Sequence, residues 1–251
     1  TAEGRGIISD RHHLSIGSFR FRNDPYVDRI TEHDLIIAIG TRLAFPDFVS
    51  HSHVLQIDID KKEIGRNHPN TTGVVGDARL TLEAIYKSVR ARLPMKASRK
   101  EELTSLKNQR FSKDLQIEPQ ASYTRAIRQA MPDDGILVSG MTQIGYYSRA
   151  HYPVYEPGTY LTSSYYGNLG YAFPLALGAK VACPSRPVVA ISGDGGFLFN
   201  SQELATAKQH GINVIVIVFN DNAYGNVLRD QVTRFQGRTY GARLHNPDFV
   251  K

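Results

Sequence analysis

Two acidic positions, each set just beyond an apolar run, give this chain its strongest chemical signal. Gly193-Asp194-Gly195 closes the run 187–193, and Asn220-Asp221-Asn222-Ala223-Tyr224-Gly225 follows the run 213–219, with 24 residues between Gly195 and Asn220. Two carboxylates and neighbouring carbonyls on a rigid edge suit a hard, oxygen-seeking cation such as Mg²⁺ or Ca²⁺. Gly195 and Gly196 leave backbone N–H groups uncovered, so an anion can approach closely. Metal and amides together make a seat for a diphosphate. A lone Gly-Asp-Gly is an ordinary turn; the flanking pattern raises this one above that reading.

The elements that must position these residues follow from the same stretch. Residues 187–193 are short, β-branched and bounded by Pro and Gly, which predicts a buried strand. Asn200-Ser201-Gln202-Glu203 reads as a capping box opening a helix to about His210, closed by Gly211. Residues 213–219 predict a second buried strand. A strand–helix–strand unit brings its parallel strands out on one edge. Asp194 and Asp221 then meet at the carboxyl ends, where open α/β sheets bind ligands.

The block from Gly193 to Gly225 resembles the diphosphate-binding motif of thiamine-diphosphate enzymes, in the group that holds acetolactate synthase and benzoylformate decarboxylase. The resemblance implies that Asp194, the Asp221 side chain and the Ala223 carbonyl bind the metal, and that Gly193, Gly195, Gly196, Tyr224 and Gly225 contact the cofactor. Family members usually carry Asn where this chain has Asp221, and the Asp adds negative charge beside a diphosphate. Upstream, Tyr166-Gly167-Asn168-Leu169-Gly170-Tyr171-Ala172-Phe173-Pro174 is similar to the segment that grips the pyrimidine of the cofactor. By that likeness the Gly167 carbonyl accepts from the 4′-amino group, and Leu169 is the apolar wedge that holds thiamine diphosphate bent. A smaller side chain would leave a void there. Taken alone, Leu169 reads as a core leucine. Residues 135–139 predict a strand, with Gly140-Met141-Thr142-Gln143 turning into a helix. The family places diphosphate contacts here, so Thr142, with Met141 beside it, is expected to line the far end of the cofactor.

The rest of the chain narrows the possibilities. With 251 residues, 41% hydrophobic and 22% charged, it is ordinary globular material for one large or two modest domains. The net charge of +6 is not gathered into a nucleic-acid patch. Its densest basic stretch, 96–113, is interleaved with Glu101 and Glu102 and lacks aromatic platforms, so no nucleic-acid partner is expected. One cysteine, Cys183, permits neither a disulfide framework nor a zinc site, which points to a reducing, cytoplasmic setting. No run has transmembrane length and no signal peptide opens the sequence, so no membrane partner is expected. The histidines, His12-His13 and His51-x-His53 among them, read as surface or structural.

Strands are predicted at 34–40, 54–60 and 74–77, and a helix at 80–92. Strands spaced by helix-length connections predict parallel α/β sheets. The expected fold is therefore α/β, with two doubly wound parallel-sheet domains. Residues 1–93 form part of a Rossmann-like central domain, 94–118 a linker with a helix inside it, and 119–251 a diphosphate-binding domain that ends inside a helix at 247–251. Ile57-Asp58-Ile59-Asp60, Glu63-Ile64-Gly65 and Gly76-Asp77 resemble the central domain of acetolactate synthase-like enzymes. True acetolactate synthases bind FAD there, whereas the decarboxylases leave the domain empty. Asp58 and Asp60 are nucleotide-facing on the first reading and strand-end caps on the second.

The resemblance implies a carbon–carbon lyase or ligase acting on a small 2-oxo acid. Decarboxylation would be followed by protonation to an aldehyde or by addition to a second carbonyl. Biosynthetic acetolactate synthases read roughly Asn-Asn-Gln-His-Leu-Gly, with a Trp nearby, where this chain has Asn-Asp-Asn-Ala-Tyr-Gly and no Trp. Tyr146, Tyr147 and Tyr224 could wall an aromatic substrate, which keeps an aromatic 2-oxo acid decarboxylase as an alternative. A non-catalytic diphosphate-binding module is a third reading. Family members are about twice this length and form sites between subunits of a homodimer or homotetramer. Their activating glutamate lies in a domain outside this chain, so the piece by itself is expected to be nearly inactive.

Overall fold

The computed structural model describes residues 3–18, 30, 32–44, 52–94, 97–114, 117–163 and 166–250; His51, Lys96 and Lys251 lie outside them. Two compact units emerge, one of Thr1–Ser18 with Leu103–Lys251, the other of Phe19–Glu102. Each carries its own parallel sheet.

The smaller unit holds a three-stranded sheet in the order β1-β2-β3, with β1 Leu35–Ile39, β2 His53–Asp58 and β3 Thr71–Val75. Helix α1, Ala78–Arg92, follows, and its N-cap Asp77 accepts from the Leu80 N–H, which satisfies one of the orphan donors of the first turn. Gln56 is buried on β2, where its Nε2 donates to the Thr41 and Glu63 carbonyls and its Oε1 accepts from Gly65 N–H. One amide thus ties two loops to the strand. At the carboxyl end of β2, Asp58 Oδ1 accepts from Asp60 N–H and Asp60 Oδ1 from Lys62 N–H. Both aspartates act as caps of the chain that follows them.

Helix α2, Lys100–Asp114, is the helix expected within the proline-bounded stretch, and the division between units falls inside it. By contact, residues 3–18 group with the C-terminal unit. Arg5 is buried there; its guanidinium donates to the Ser148 and Arg149 carbonyls and lies over the Tyr160 ring. Burial pulls its pKa below the ordinary value, partly offset by Tyr160 and Asp10.

The larger unit is built on a four-stranded parallel sheet in the order β5-β4-β6-β7: β4 Ile136–Ser139, β5 Tyr160–Leu161, β6 Val188–Gly193 and β7 Ile215–Phe219. Helices α3 Gln120–Ala130, α4 Gln143–His151, α5 Ala172–Ala182, α6 Asp194–Leu198, α7 Glu203–His210 and α8 Gly225–Arg234 complete it. Alternation along the strands feeds two cores. Leu137, Val189 and Ile191 face one side with Ile144 and Tyr152, while Ile136, Val138, Val188 and Ala190 face the other with Ala172 and Ala176. The small residues of α5 let that helix lie close on β4 and β6.

Three expectations are corrected. The capping box does not form: α7 begins at Glu203 without a side-chain cap, and Asn200 Nδ2 donates to the Gly170 carbonyl instead. Gly211 does end that helix in the left-handed conformation, at φ 61°. Strand β7 is only half-buried, with Ile215 at 61% exposure, because it is the edge of the described sheet. Residues 247–250 are not helical; Pro247 brings no N–H, and Asp248 Oδ1 captures the Val250 N–H in a local turn. Strand β5 and helix α8 were not anticipated: β5 is too short to show a period, and α8 is polar over most of its surface.

Candidate functional site

Register decides the geometry of the site. β6 and β7 are adjacent and parallel, with Gly193 opposite Phe219, so Asp194 and Asn220-Asp221 leave the sheet side by side. Asp194 starts α6 and is 1% exposed. Beside these strand ends lies a cavity of ≈ 980 Å³. Thr142, Gly167, Leu169, Gly193, Asp194, Gly195, Gly196, Asp221, Ala223, Tyr224 and Gly225 all line it, together with Met141. The structure therefore brings every nominated cofactor and metal residue around one space.

Each arrives for a local reason. Thr142 is the N-cap residue of α4, and Gly140 supplies the close approach behind it: a Cβ there would stand 2.6 Å from the Ile191 carbonyl oxygen. Gly167 holds φ 62°, a left-handed conformation that favours glycine. Leu169 sits over the motif, 3.9 Å from where a Cβ on Gly196 would lie. Gly195 is packed under Tyr224, whose ring would be 2.5 Å from an added Cβ. A Cβ on Gly225 would stand 2.6 Å from Asp221 Oδ2. At these two positions a side chain would collide with the machinery around the strand ends.

The electrostatics favour a cation. Among the described residues no Lys, Arg or His pairs with either Asp194 or Asp221. The Asp221 carboxyl is held above the usual range, first by partial desolvation and then by the Asp194 charge, against a stabilising bond from Ala223 N–H. A buried carboxylate next to a second carboxylate is costly unless compensated. The donors are all oxygens, which fits Mg²⁺ or Ca²⁺ rather than a thiophilic metal. No group of three His, Cys, Asp or Glu gathers among the described residues, so a cation here would rest on two carboxylates and backbone or amide oxygens.

Sequence reasoning missed three polar residues at this site. Asn246 Nδ2 donates to Asp194 Oδ2 at 2.6 Å and to Asn220 Oδ1 at 2.8 Å. Gln143 donates from Nε2 to Asn226 Oδ1, joining α4 to α8. Asn200 fastens Gly170, next to Leu169, to the end of α6. None stands in a periodic pattern, so their roles show only in three dimensions. Tyr146 and Tyr224 line the cavity, but Tyr147 does not: it is 4% exposed and packs on the His151 ring.

Comparison with known proteins identifies the family. The C-terminal cofactor-binding domain of thiamine pyrophosphate enzymes matches residues 140–251, and the central domain of the same enzymes matches residues 1–85. The chain belongs to the thiamine pyrophosphate enzymes. Thiamine pyrophosphate is thiamine diphosphate, so the first of these domains is the one that carries the Asp194–Asp221 edge. The chain is 33% identical over 260 residues to a probable 2-ketoarginine decarboxylase of Pseudomonas aeruginosa, covering 98% of this chain and 45% of that protein. It is 31% identical to a probable acetolactate synthase large subunit of Methanocaldococcus jannaschii, covering 100% and 46%. Pyruvate oxidase of Lactiplantibacillus plantarum is 29% identical, covering 100% and 43%. The chain thus spans a little under half the length of these relatives. Among the described residues, no helix is long and apolar enough to cross a membrane.

Proposed function

We propose that this thiamine-diphosphate enzyme chain serves a Mg²⁺-dependent carbon–carbon lyase or ligase acting on 2-oxo acids, in the manner of acetolactate synthase. The observation that carries the reading is the pairing of Asp194 and Asp221 at adjacent strand ends, facing one cavity with Leu169 and Gly167. Asp194, Asp221 and the Ala223 carbonyl would hold the cation, which neutralises two carboxylates and so admits a diphosphate. Gly196 would keep the approach clear of its own side chain, Gly195 makes room for the Tyr224 ring beside it, and Thr142 at the start of α4 would bound the diphosphate end. Gly167 and Leu169 would grip and bend the cofactor from the opposite side. When bound, thiamine diphosphate supplies the electron sink that allows a 2-oxo acid to lose carbon dioxide. The protein's part is position, charge and exclusion of water. We further propose a homodimer or homotetramer as the working assembly, and a small-molecule 2-oxo acid as its substrate.

An aromatic 2-oxo acid decarboxylase is the second reading, favoured by Tyr123, Tyr146, Phe199 and Phe219 on the cavity wall. The relative named as a 2-ketoarginine decarboxylase extends the comparison to a cationic side chain. Carbon dioxide release and acetolactate formation from pyruvate, benzoylformate and 2-ketoarginine, with thiamine diphosphate and Mg²⁺, separate the readings. Acetolactate from pyruvate is the expected result. Release from benzoylformate alone favours the second reading. Tight cofactor binding without turnover of any 2-oxo acid, in a protein of the full family length, leaves only a diphosphate-binding module.

A further inference from the structure

The chain beyond α8 returns to the site. Tyr224 N–H donates to the Ala242 carbonyl, Leu244 N–H donates to the Asn222 carbonyl, and Ala223 pairs with Arg243 as an antiparallel bridge. Residues 242–244 thus run as a short strand along the segment that carries Asp221 and Ala223. Two residues later Asn246 reaches past that segment to the other half of the motif, where its Nδ2 lies 2.6 Å from Asp194 Oδ2 and 2.8 Å from Asn220 Oδ1.

The amide can be oriented from its neighbours. The group facing Asp194 and Asn220 meets two acceptor oxygens, so it must be the NH₂, and both of its hydrogens are then used. Asn246 Oδ1 is left buried with no hydrogen-bond partner. An amide placed for folding alone would not leave its carbonyl oxygen dry beside the buried Asp194 carboxylate, because an unmet buried acceptor is costly. The Nδ2 bonds also occupy one oxygen of Asp194 and fix the rotation of its carboxylate, as outer-shell partners of metal ligands do.

We propose that Asn246 is a positioning residue of the cation site: by bridging Asp194 and Asn220 it sets the orientation of the buried carboxylate. The inference rests on the reading of Asp194 and Asp221 as cation ligands.

Calorimetric titration of thiamine diphosphate at stepped Mg²⁺ concentrations tests it on the full chain, with wild type, Asp194→Ala and Asn246→Ala compared. Loss of an outer-shell partner typically weakens metal affinity about 10–100-fold, so in Asn246→Ala the half-saturating Mg²⁺ should rise by about that factor. Its melting temperature without Mg²⁺ should fall only slightly. A lowered melting temperature with wild-type half-saturating Mg²⁺ overturns the proposal, since it shows a merely structural role. Wild type that binds the cofactor equally well without Mg²⁺, with Asp194→Ala behaving the same, overturns the cation reading itself and the proposal with it. Should Asn246→Ala fail to fold, Asn246→Asp keeps the shape and turns the donor into an acceptor against Asp194. That variant should melt lower than wild type without Mg²⁺ and regain the difference when Mg²⁺ is added. Wild-type melting in both conditions overturns the proposal.

Discussion

The two parallel sheets of this molecule follow the same plan and are finished differently. In β4 every residue is buried, and in β6 all but the last. In β1, Leu35, Ile37 and Ile39 are each more than 40% exposed. At the carboxyl end of β2, Asp58 and Asp60 are consumed by backbone caps. At the carboxyl ends of β6 and β7, Asp194 and Asp221 stand side by side on one cavity, and no cationic side chain pairs with either among the described residues. The same residue type, at the same place in the same kind of sheet, closes a turn in one unit and holds unspent charge in the other. A strand-end aspartate is therefore no evidence of a site. Its unpaired charge beside a second carboxylate is.

Substitutions sharpen that contrast, beginning with the largest effect. Asp194→Ala should cut Mg²⁺-dependent affinity for thiamine diphosphate by more than about 100-fold, beyond the range for outer-shell partners. Asp60→Ala should leave that affinity unchanged and cost only the about 0.5–2 kcal/mol of a lost N-cap. Equal effects in a calorimetric titration would erase the distinction between the two strand ends. In the sheets themselves, Ile191→Ala should destabilise by about 2–5 kcal/mol, as buried Ile truncations do. Ile37→Ala, at a half-exposed position, should stay nearer about 0.5 kcal/mol; urea denaturation of both variants measures the gap.

Gly195→Ala places a Cβ against the Tyr224 ring. Overpacking of this kind costs about 1–3 kcal/mol, and here it should also displace the segment that carries Asp221. A variant with lowered stability and lowered cofactor affinity is expected; stability loss alone would show that the glycine serves packing only.

The smallest effect concerns Asp221 and turns on pH. Its carboxyl is held above the ordinary value, so its ionised form costs stability. That cost grows as pH rises from the ordinary carboxylate value to the raised one, is complete above it, and is absent below both. Without Mg²⁺, Asp221→Asn should therefore melt slightly higher than wild type near neutrality, with the gap closing as the pH falls through that window. With Mg²⁺ and thiamine diphosphate the order should reverse. Thermal melts across pH, with and without the cation, read both signs.

Much of this was legible in the sequence because it is written in period and punctuation. The β-branched runs at 187–193 and 213–219 gave strands within two residues of their ends, and Gly211 marked the close of α7. The candidate site was legible for the same reason: Asp194, Asp221, Leu169 and Gly167 lie in motifs local to a strand end or a glycine turn. What was hidden depends on contacts between distant segments. Asn200 read as a cap because Glu203 follows it by three, yet its Nδ2 is held by the Gly170 carbonyl, thirty residues away, and its Oδ1 accepts from the Gln202 side chain rather than from the helix backbone. Asn246 looked like the approach to a helix, and only the return of 242–244 along 222–224 brings it to Asp194. The packing of residues 3–18 against the C-terminal unit rests on the buried Arg5 guanidinium, on Asp10 paired with Val154 and on Arg11 paired with Asp133, contacts between distant segments that no periodicity announces.

The most direct test of the central claim is a titration of the wild-type chain with thiamine diphosphate, once with Mg²⁺ and once with excess EDTA. Saturable binding with Mg²⁺ that is lost in EDTA is the predicted result. Binding of equal strength in both, or no binding in either, would contradict the assignment of Asp194 and Asp221 as the cation-holding edge of a diphosphate site.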